Sequence, residues 1–502
     1  MEVAHLLRHT HCQICMRFDF DSETRRKLGY RLVDLVDEYY SSLSDRPVQL
    51  PDALRTYGTL NDPLPELGED PGRVLEEVFG EMVTKGFHVP SANYLGLMNP
   101  TPTYMGFLGE ALAAALNPQL ATLARSQLAS KIELETVRWI AERVGWKTGF
   151  GGTFTSGGNE ANFSGLAMAL AARFPNAMED GVASIGGQPV VYASVESHHS
   201  LDKSAGLLGI GRKALRRIPV NNHLQLDPEK LEHAVREDRA AGRKPFCVVA
   251  TAGTTSSGIV DDLVAIAEVC RRNDLWMHVD GAYGASVVFS DKHRDLVRGI
   301  ELADSITIDP HKWLAVPFAA GVILTRHPEA LQQAFSVASP YMPKAAGANL
   351  PDNARISTQW TRRMNSLKLW LTLRVHGRVA YEEHIDRQLQ LSRGFAEWIK
   401  HSEHFEMAAP NTLTIVNFSV KSAGRNAQEI ADAHARVVDA VTRDGQLWIS
   451  DTVVNGRSVL RMMVISYLTE ERHLASLQQK LLDAAKAVVN EDAGARANPA
   501  RH

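Results

Sequence analysis

Between residues 190 and 325 the chain repeats one pattern: a short apolar run, a stretch with helical spacing, then another apolar run. The runs occupy residues 190–194, 214–220, 246–252, 276–283, 305–309 and 322–325. Apolar runs of strand length without polar alternation belong to strands buried on both faces, and the intervening helices supply the crossovers that parallel strands need. The pattern predicts an α/β fold with a mostly parallel central sheet covered on both sides. In such sheets ligands bind in the crevice at the carboxyl ends of the strands.

The residues after those runs carry chemistry. Thr155-Ser156-Gly157-Gly158-Asn159-Glu160-Ala161-Asn162 precedes a helical run, where glycines admit an anion to backbone N–H groups at the positive end of a helix. The stretch lacks the lysine of a P-loop and the three-glycine dinucleotide spacing. It reads as a phosphate cradle or as a turn capping a helix. Ser197-His198-His199-Ser200 brings an imidazole to the same sheet edge, and Gly253-Thr254-Thr255 brings hydroxyls. Asp280 ends the run Trp276-Met277-His278-Val279, a place where a carboxylate needs a cation or a strong donor, or else caps the next helix. Lys312, in Asp309-Pro310-His311-Lys312-Trp313, stands between an apolar run and an uncharged one. A desolvated lysine becomes a nucleophilic amine suited to a Schiff base, whereas a snorkelling one does not. An anion cradle, a carboxylate for a ring nitrogen and an amine for an aldehyde together describe pyridoxal 5′-phosphate.

Composition narrows the remainder. The 502 residues hold 54 Lys plus Arg against 58 Asp plus Glu, a formal charge of −4, so no basic field exists for nucleic acid. The longest uncharged stretch, residues 88–109, is interrupted by prolines, and no membrane span is expected. Four cysteines are too few for a disulfide framework, which with the absence of a secretory pattern predicts a cytoplasmic protein. His9, His11, Cys12 and Cys15 match no zinc spacing, so no metal is expected. The chain divides into a disordered extension at 1–16, a helical segment at 17–100, a large domain at 101–385, a small α+β domain at 386–490 and a disordered tail at 491–502. Helices are expected over 23–43, 110–123, 129–144 and 474–489, with an irregular connection over 45–72.

The sequences DPHKW (Asp309 to Trp313) and HVDGAYG (His278 to Gly284) resemble those of the pyridoxal 5′-phosphate-dependent decarboxylases of aromatic L-amino acids, tyrosine and glutamate, and bacterial members above all. That resemblance implies fold type I, the aspartate aminotransferase-like fold, with the large domain holding the cofactor. It implies that Lys312 forms the Schiff base, Asp280 pairs with the pyridine nitrogen and His198 stacks on the ring. Gly158 and Asn159 would hold the phosphate, Thr255 and Ala282 line the cofactor, and His311 neighbours it. The activity implied is a carboxy-lyase of amino acid metabolism that turns an L-amino acid, by analogy an aromatic one, into amine and CO₂, in a homodimer.

Two features depart from the family pattern. Asp309 stands where some relatives have Asn, and the loop 342–361 has no Tyr, Phe or His, with only Tyr341 at its start. Relatives often reprotonate their intermediate with a loop tyrosine, so an aldehyde synthase or another pyridoxal 5′-phosphate lyase is the alternative. From a different class, a non-catalytic binding protein of the same fold would be expected to lose Lys312 or Asp280.

Overall fold

In this computed structural model residues 18–49, 63–337, 352–421 and 424–497 are described. The extension expected at 1–16 lies outside them. Helix α1 (Ser22–Ser42) starts where the Asp21 carboxylate accepts from Thr24 N at 2.8 Å. Only Leu35 and Val36 of its apolar stripe are buried. Helix α2 (Pro71–Lys85) buries no residue, and an ion pair between Arg31 and Glu76 joins the two. Helix α3 (Tyr104–Leu116) begins earlier than the apolar spacing indicates, because the Thr103 hydroxyl caps it and accepts from Gly106 N at 3.1 Å. Helix α4 (Gln127–Val144) follows.

The central sheet is built from β1 (Gly151–Thr155), β2 (Pro189–Ser194), β3 (Leu215–Ile218), β4 (Lys244–Thr251), β5 (Trp276–Asp280), β6 (Ser305–Ile308) and β7 (Gly321–Thr325), in the order β1-β7-β6-β5-β4-β2-β3. Strands β2 to β6 are mutually parallel, whereas β7 is antiparallel to both β6 and β1. The six apolar runs are thus six of the seven strands. Sequence spacing missed β1, whose two opening glycines hide the apolar pattern. The run expected over 276–283 leaves the ladder at Asp280, where Gly281 N turns back to Val279 O at 3.0 Å.

Helices α5 (Gly158–Arg173), α6 (Ser200–Leu207), α7 (Pro228–Ala240), α8 (Leu263–Arg272) and α9 (Pro328–Phe335) alternate with these strands. Fully buried Val191, Val249, Ile306 and Val279 lie inside the sheet core between those layers. Helix α10 (Ser366–His401) is one run with a break at Gly377. It packs on α3 and α4 at its start and on β8 (Phe405–Met407) and β9 (Ile415–Val420) at its end. The division expected at 385–386 therefore falls inside a helix that ties both layers together. Beyond it, α11 (Ala427–Thr442), β10 (Ser450–Val454), β11 (Arg457–Met463) and α12 (Glu471–Ala497) complete a smaller unit, its antiparallel sheet ordered β10-β11-β9-β8. Helix α12 runs on through Ala497, so part of the tail expected to be disordered from 491 is helical.

Candidate active site

All eight residues singled out from the sequence line one cavity of about 190 Å³ at the carboxyl ends of the strands: Gly158, Asn159, His198, Thr255, Asp280, Ala282, His311 and Lys312. Thr251, Asp309, Tyr283 and Met98, which had no cofactor role from the sequence, line it too, as does Asn162 from the end of the expected cradle stretch. Strand β5 delivers Asp280, the turn after β6 delivers Asp309 to Lys312, the loop after β2 delivers His198, and the turn after β1 delivers Gly158. The convergence follows from the sheet, in which β1, β2, β5 and β6 point their carboxyl ends the same way.

Asp280 is 5% exposed. Its Oδ2 accepts from Asn162 Nδ2 at 2.8 Å and its Oδ1 from Ala282 N at 3.3 Å. A buried carboxylate held by two neutral donors is prepared for a cationic partner. Lys312 Nζ lies 3.1 Å from Asp309 Oδ2. Asp309 is 2% exposed, and its Oδ1 has no hydrogen-bond partner among the described residues; the same holds for Thr251 Oγ1.

His198 stands exposed at the cavity mouth with Nδ1 accepting from Ser200 N at 3.1 Å. Desolvation lowers its pKa; Asp280 opposes that shift and Lys312 reinforces it. The ring is thus a neutral flat face at pH 7. His311 Nδ1 accepts from Ala320 N at 3.0 Å, which leaves its proton on Nε2, 3.6 Å from Asp309 Oδ2. Desolvation lowers the His311 pKa as well, against the pull of Asp309.

The start of α5 has no side-chain cap. Ser156, expected among the cradle donors, gives both its N–H and its hydroxyl to Glu160 Oε2, at 2.7 and 2.8 Å. Thr155 Oγ1 turns to Gly157 O, and Asn162 faces Asp280 instead of the cradle. Gly158 and Asn159 remain. At Gly158 a Cβ would lie 2.8 Å from Asp309 Oδ2 and 3.2 Å from Ala282 Cβ, so only glycine lets the helix start close on the cavity. Uncapped N–H groups for a phosphate, a buried carboxylate for a ring nitrogen and a lysine amine for an aldehyde are the donor set that pyridoxal 5′-phosphate requires, and the residues fit it.

Comparison with known proteins points to the same cofactor. Residues 51–421 match the pyridoxal-dependent decarboxylase conserved domain. The chain is 31% identical to an aromatic-L-amino-acid decarboxylase of Bacillus atrophaeus, over 93% of this chain and 96% of that one. It is 29% identical to the phenylacetaldehyde synthase of Arabidopsis thaliana, over 94% and 98%. Among solved structures it superimposes on Oryza sativa TDC with PLP and tryptamine with a TM-score of 0.88 at 27% identity, covering 94% of this chain and 99% of that one.

Proposed function

The chain belongs to the pyridoxal-dependent decarboxylase family of carboxy-lyases, which use pyridoxal 5′-phosphate, and on that premise we propose that its substrate is an aromatic L-amino acid, released as amine and CO₂. The observation that carries this reading is the meeting of Lys312, Asp280 and His198 in one cavity with an apolar wall. Met98 and Tyr283 form that wall, and the Tyr283 ring stacks on Trp313 with centroids 5.1 Å apart. The decarboxylase of Bacillus atrophaeus and the rice structure with tryptamine support the aromatic side chain.

When bound, pyridoxal 5′-phosphate supplies the electron sink for the charge left on Cα as CO₂ departs. The chain supplies the rest. Lys312 presents the amine that anchors the aldehyde, and the Gly158–Asn159 helix start holds the phosphate. Asp280 holds the ring nitrogen in its protonated form. His198 would stack on the ring face, and His311 carries its proton on Nε2, on the side of Asp309. Met98 and Tyr283 exclude water, which favours loss of the uncharged CO₂.

An aldehyde synthase is the second reading, favoured by the Arabidopsis relative and by the loop without Tyr, Phe or His. Tyr341 and residues 342–351 of that loop lie outside the described residues. The two readings differ in balance. Decarboxylation releases amine and CO₂, whereas the oxidative route consumes O₂ and water and releases aldehyde, CO₂, ammonia and hydrogen peroxide. Incubating the holoenzyme with phenylalanine, tyrosine and tryptophan and measuring amine, aldehyde and peroxide separates them. Amine without peroxide is expected, and peroxide equal to CO₂ supports the synthase. No product from any of the three, with CO₂ released from another amino acid, overturns the aromatic assignment.

A homodimer is part of this proposal. Val74, Val78 and Met82 form an exposed stripe on α2 beside exposed Leu32 and Val33 of α1, apolar surface that a second copy would cover. Sedimentation at assay concentration is expected to give twice the chain mass, and Met82→Asp to lower it. The buried free thiols of Cys247 and Cys270 support a cytoplasmic location.

A further inference from the structure

His278 opens the HVDGAYG motif, yet its wholly buried ring does not line the cavity. It stands in a chain of hydrogen bonds whose direction is fixed from the Asp280 end. At the far end, the Trp276 indole N–H can only donate, and it reaches Ser305 Oγ at 2.8 Å. The Ser305 hydroxyl keeps its own proton available for His278 Nδ1, also at 2.8 Å. Burial lowers the His278 pKa to about 4, so the ring is neutral at pH 7 and carries one proton.

At the near end, the Asp280 carboxylate can only accept, so the Asn162 atom 2.8 Å from Oδ2 is the amide Nδ2. Asn162 Oδ1 then faces His278 Nε2 at 3.0 Å and accepts, as it does from the Thr307 hydroxyl at 2.7 Å. The ring proton of His278 is therefore on Nε2, which leaves Nδ1 to accept from Ser305. Gly165 on α5 gives the ring its place, since a Cβ there would lie 2.4 Å from His278 Cε1.

We propose that Trp276, Ser305, His278 and Asn162 form a one-way hydrogen-bond relay that aims Asp280 at the ring nitrogen of pyridoxal 5′-phosphate, with His278 and Asn162 as positioning residues. The proposal rests on the cofactor reading above. Donors in series polarise one another, so the Asn162 N–H is a stronger and better fixed partner for Asp280 than an isolated amide. Outer hydrogen bonds of this kind orient the group that meets the cofactor, as they orient metal ligands.

The test loads wild type, Ser305→Ala, His278→Leu, His278→Gln and Asn162→Ala with pyridoxal 5′-phosphate. It reads the dissociation constant by fluorescence quenching and the pH midpoint of the visible absorbance of the bound cofactor. Asn162→Ala and His278→Leu are expected to bind about tenfold more weakly and to move the pH midpoint. His278→Gln, which keeps an amide donor toward Asn162, is expected to recover most of the affinity. Ser305 is the decisive position because it does not line the cavity; Ser305→Ala is expected to move the midpoint in the same direction by less. If Ser305→Ala and His278→Leu keep the wild-type midpoint and affinity and only lower Tm, the side chains merely pack and the relay is overturned. Failure of the cofactor reading is distinguishable, because wild type itself would then give no visible band.

Discussion

Asp309 places an acid beside the anion cradle, and the structure gives it a definite position. Its carboxylate lies 3.1 Å from the Lys312 amine and against Gly158, the first residue of the helix that faces the phosphate. A carboxylate beside a phosphate cradle repels the ligand unless a cation intervenes, and Lys312 is that cation until it condenses with the aldehyde. Asp309→Asn is therefore expected to tighten pyridoxal 5′-phosphate binding several-fold in titrations of the apoprotein, and to have a smaller effect on pyridoxal, which has no phosphate. Weaker binding of both ligands would instead make Asp309 a supporting partner. The residue types were legible in the sequence because each stood alone at the end of an apolar run. The Lys312–Asp309 pair was not, because an i, i+3 separation in a turn has no fixed side-chain direction.

Among the helices, α1, α2, α3, α7, α8 and α11 receive side-chain N-caps from Asp21, Asp70, Thr103, Asp227, Asp262 and Asn426. Helix α5 does not. Its free N–H groups and the positive end of its dipole are an anion site built by omission of a cap. Inorganic phosphate at millimolar concentration is therefore expected to raise the Tm of the apoprotein, by ligand binding to the folded state alone. Gly158→Ala, which drives a methyl into Asp309, is expected to abolish most of that rise and to weaken pyridoxal 5′-phosphate binding about tenfold or more. A phosphate-dependent rise unchanged in Gly158→Ala would place the anion elsewhere. Sequence spacing located α5 but not the diversion of Ser156 to Glu160, because a Ser beside a helix start can serve either the helix or a ligand.

For the molecule as a whole, the relevant titration is of buried imidazoles. His278 and His434 are fully buried, and burial lowers each pKa to about 4 from 6.5. In the unfolded chain both take up protons near pH 6.5, so their stabilising contribution is complete above that value and declines as pH falls through the window toward about 4. Each contributes on the order of 2–3 kcal/mol over that window. The urea midpoint is expected to fall between pH 7 and pH 5, and His434→Gln to flatten that slope. An unchanged slope would mean that His434 is protonated in the fold.

What the sequence determined by itself was the architecture and the cast. Buried parallel strands demand uninterrupted apolar runs, and a cofactor that needs an amine, an acid and an anion cradle demands those residue types at strand ends, so both are written locally. The eight residues named from the sequence share one cavity for that reason. What only the tertiary structure decided was which atom faces which: Asn162 serving Asp280, Ser156 serving Glu160, Asp309 pairing with Lys312, and α10 running across the expected domain division. Hydrogen bonds and ion pairs depend on distances of about 3 Å and on direction. Those are set between segments far apart in the chain, where no local periodicity records them.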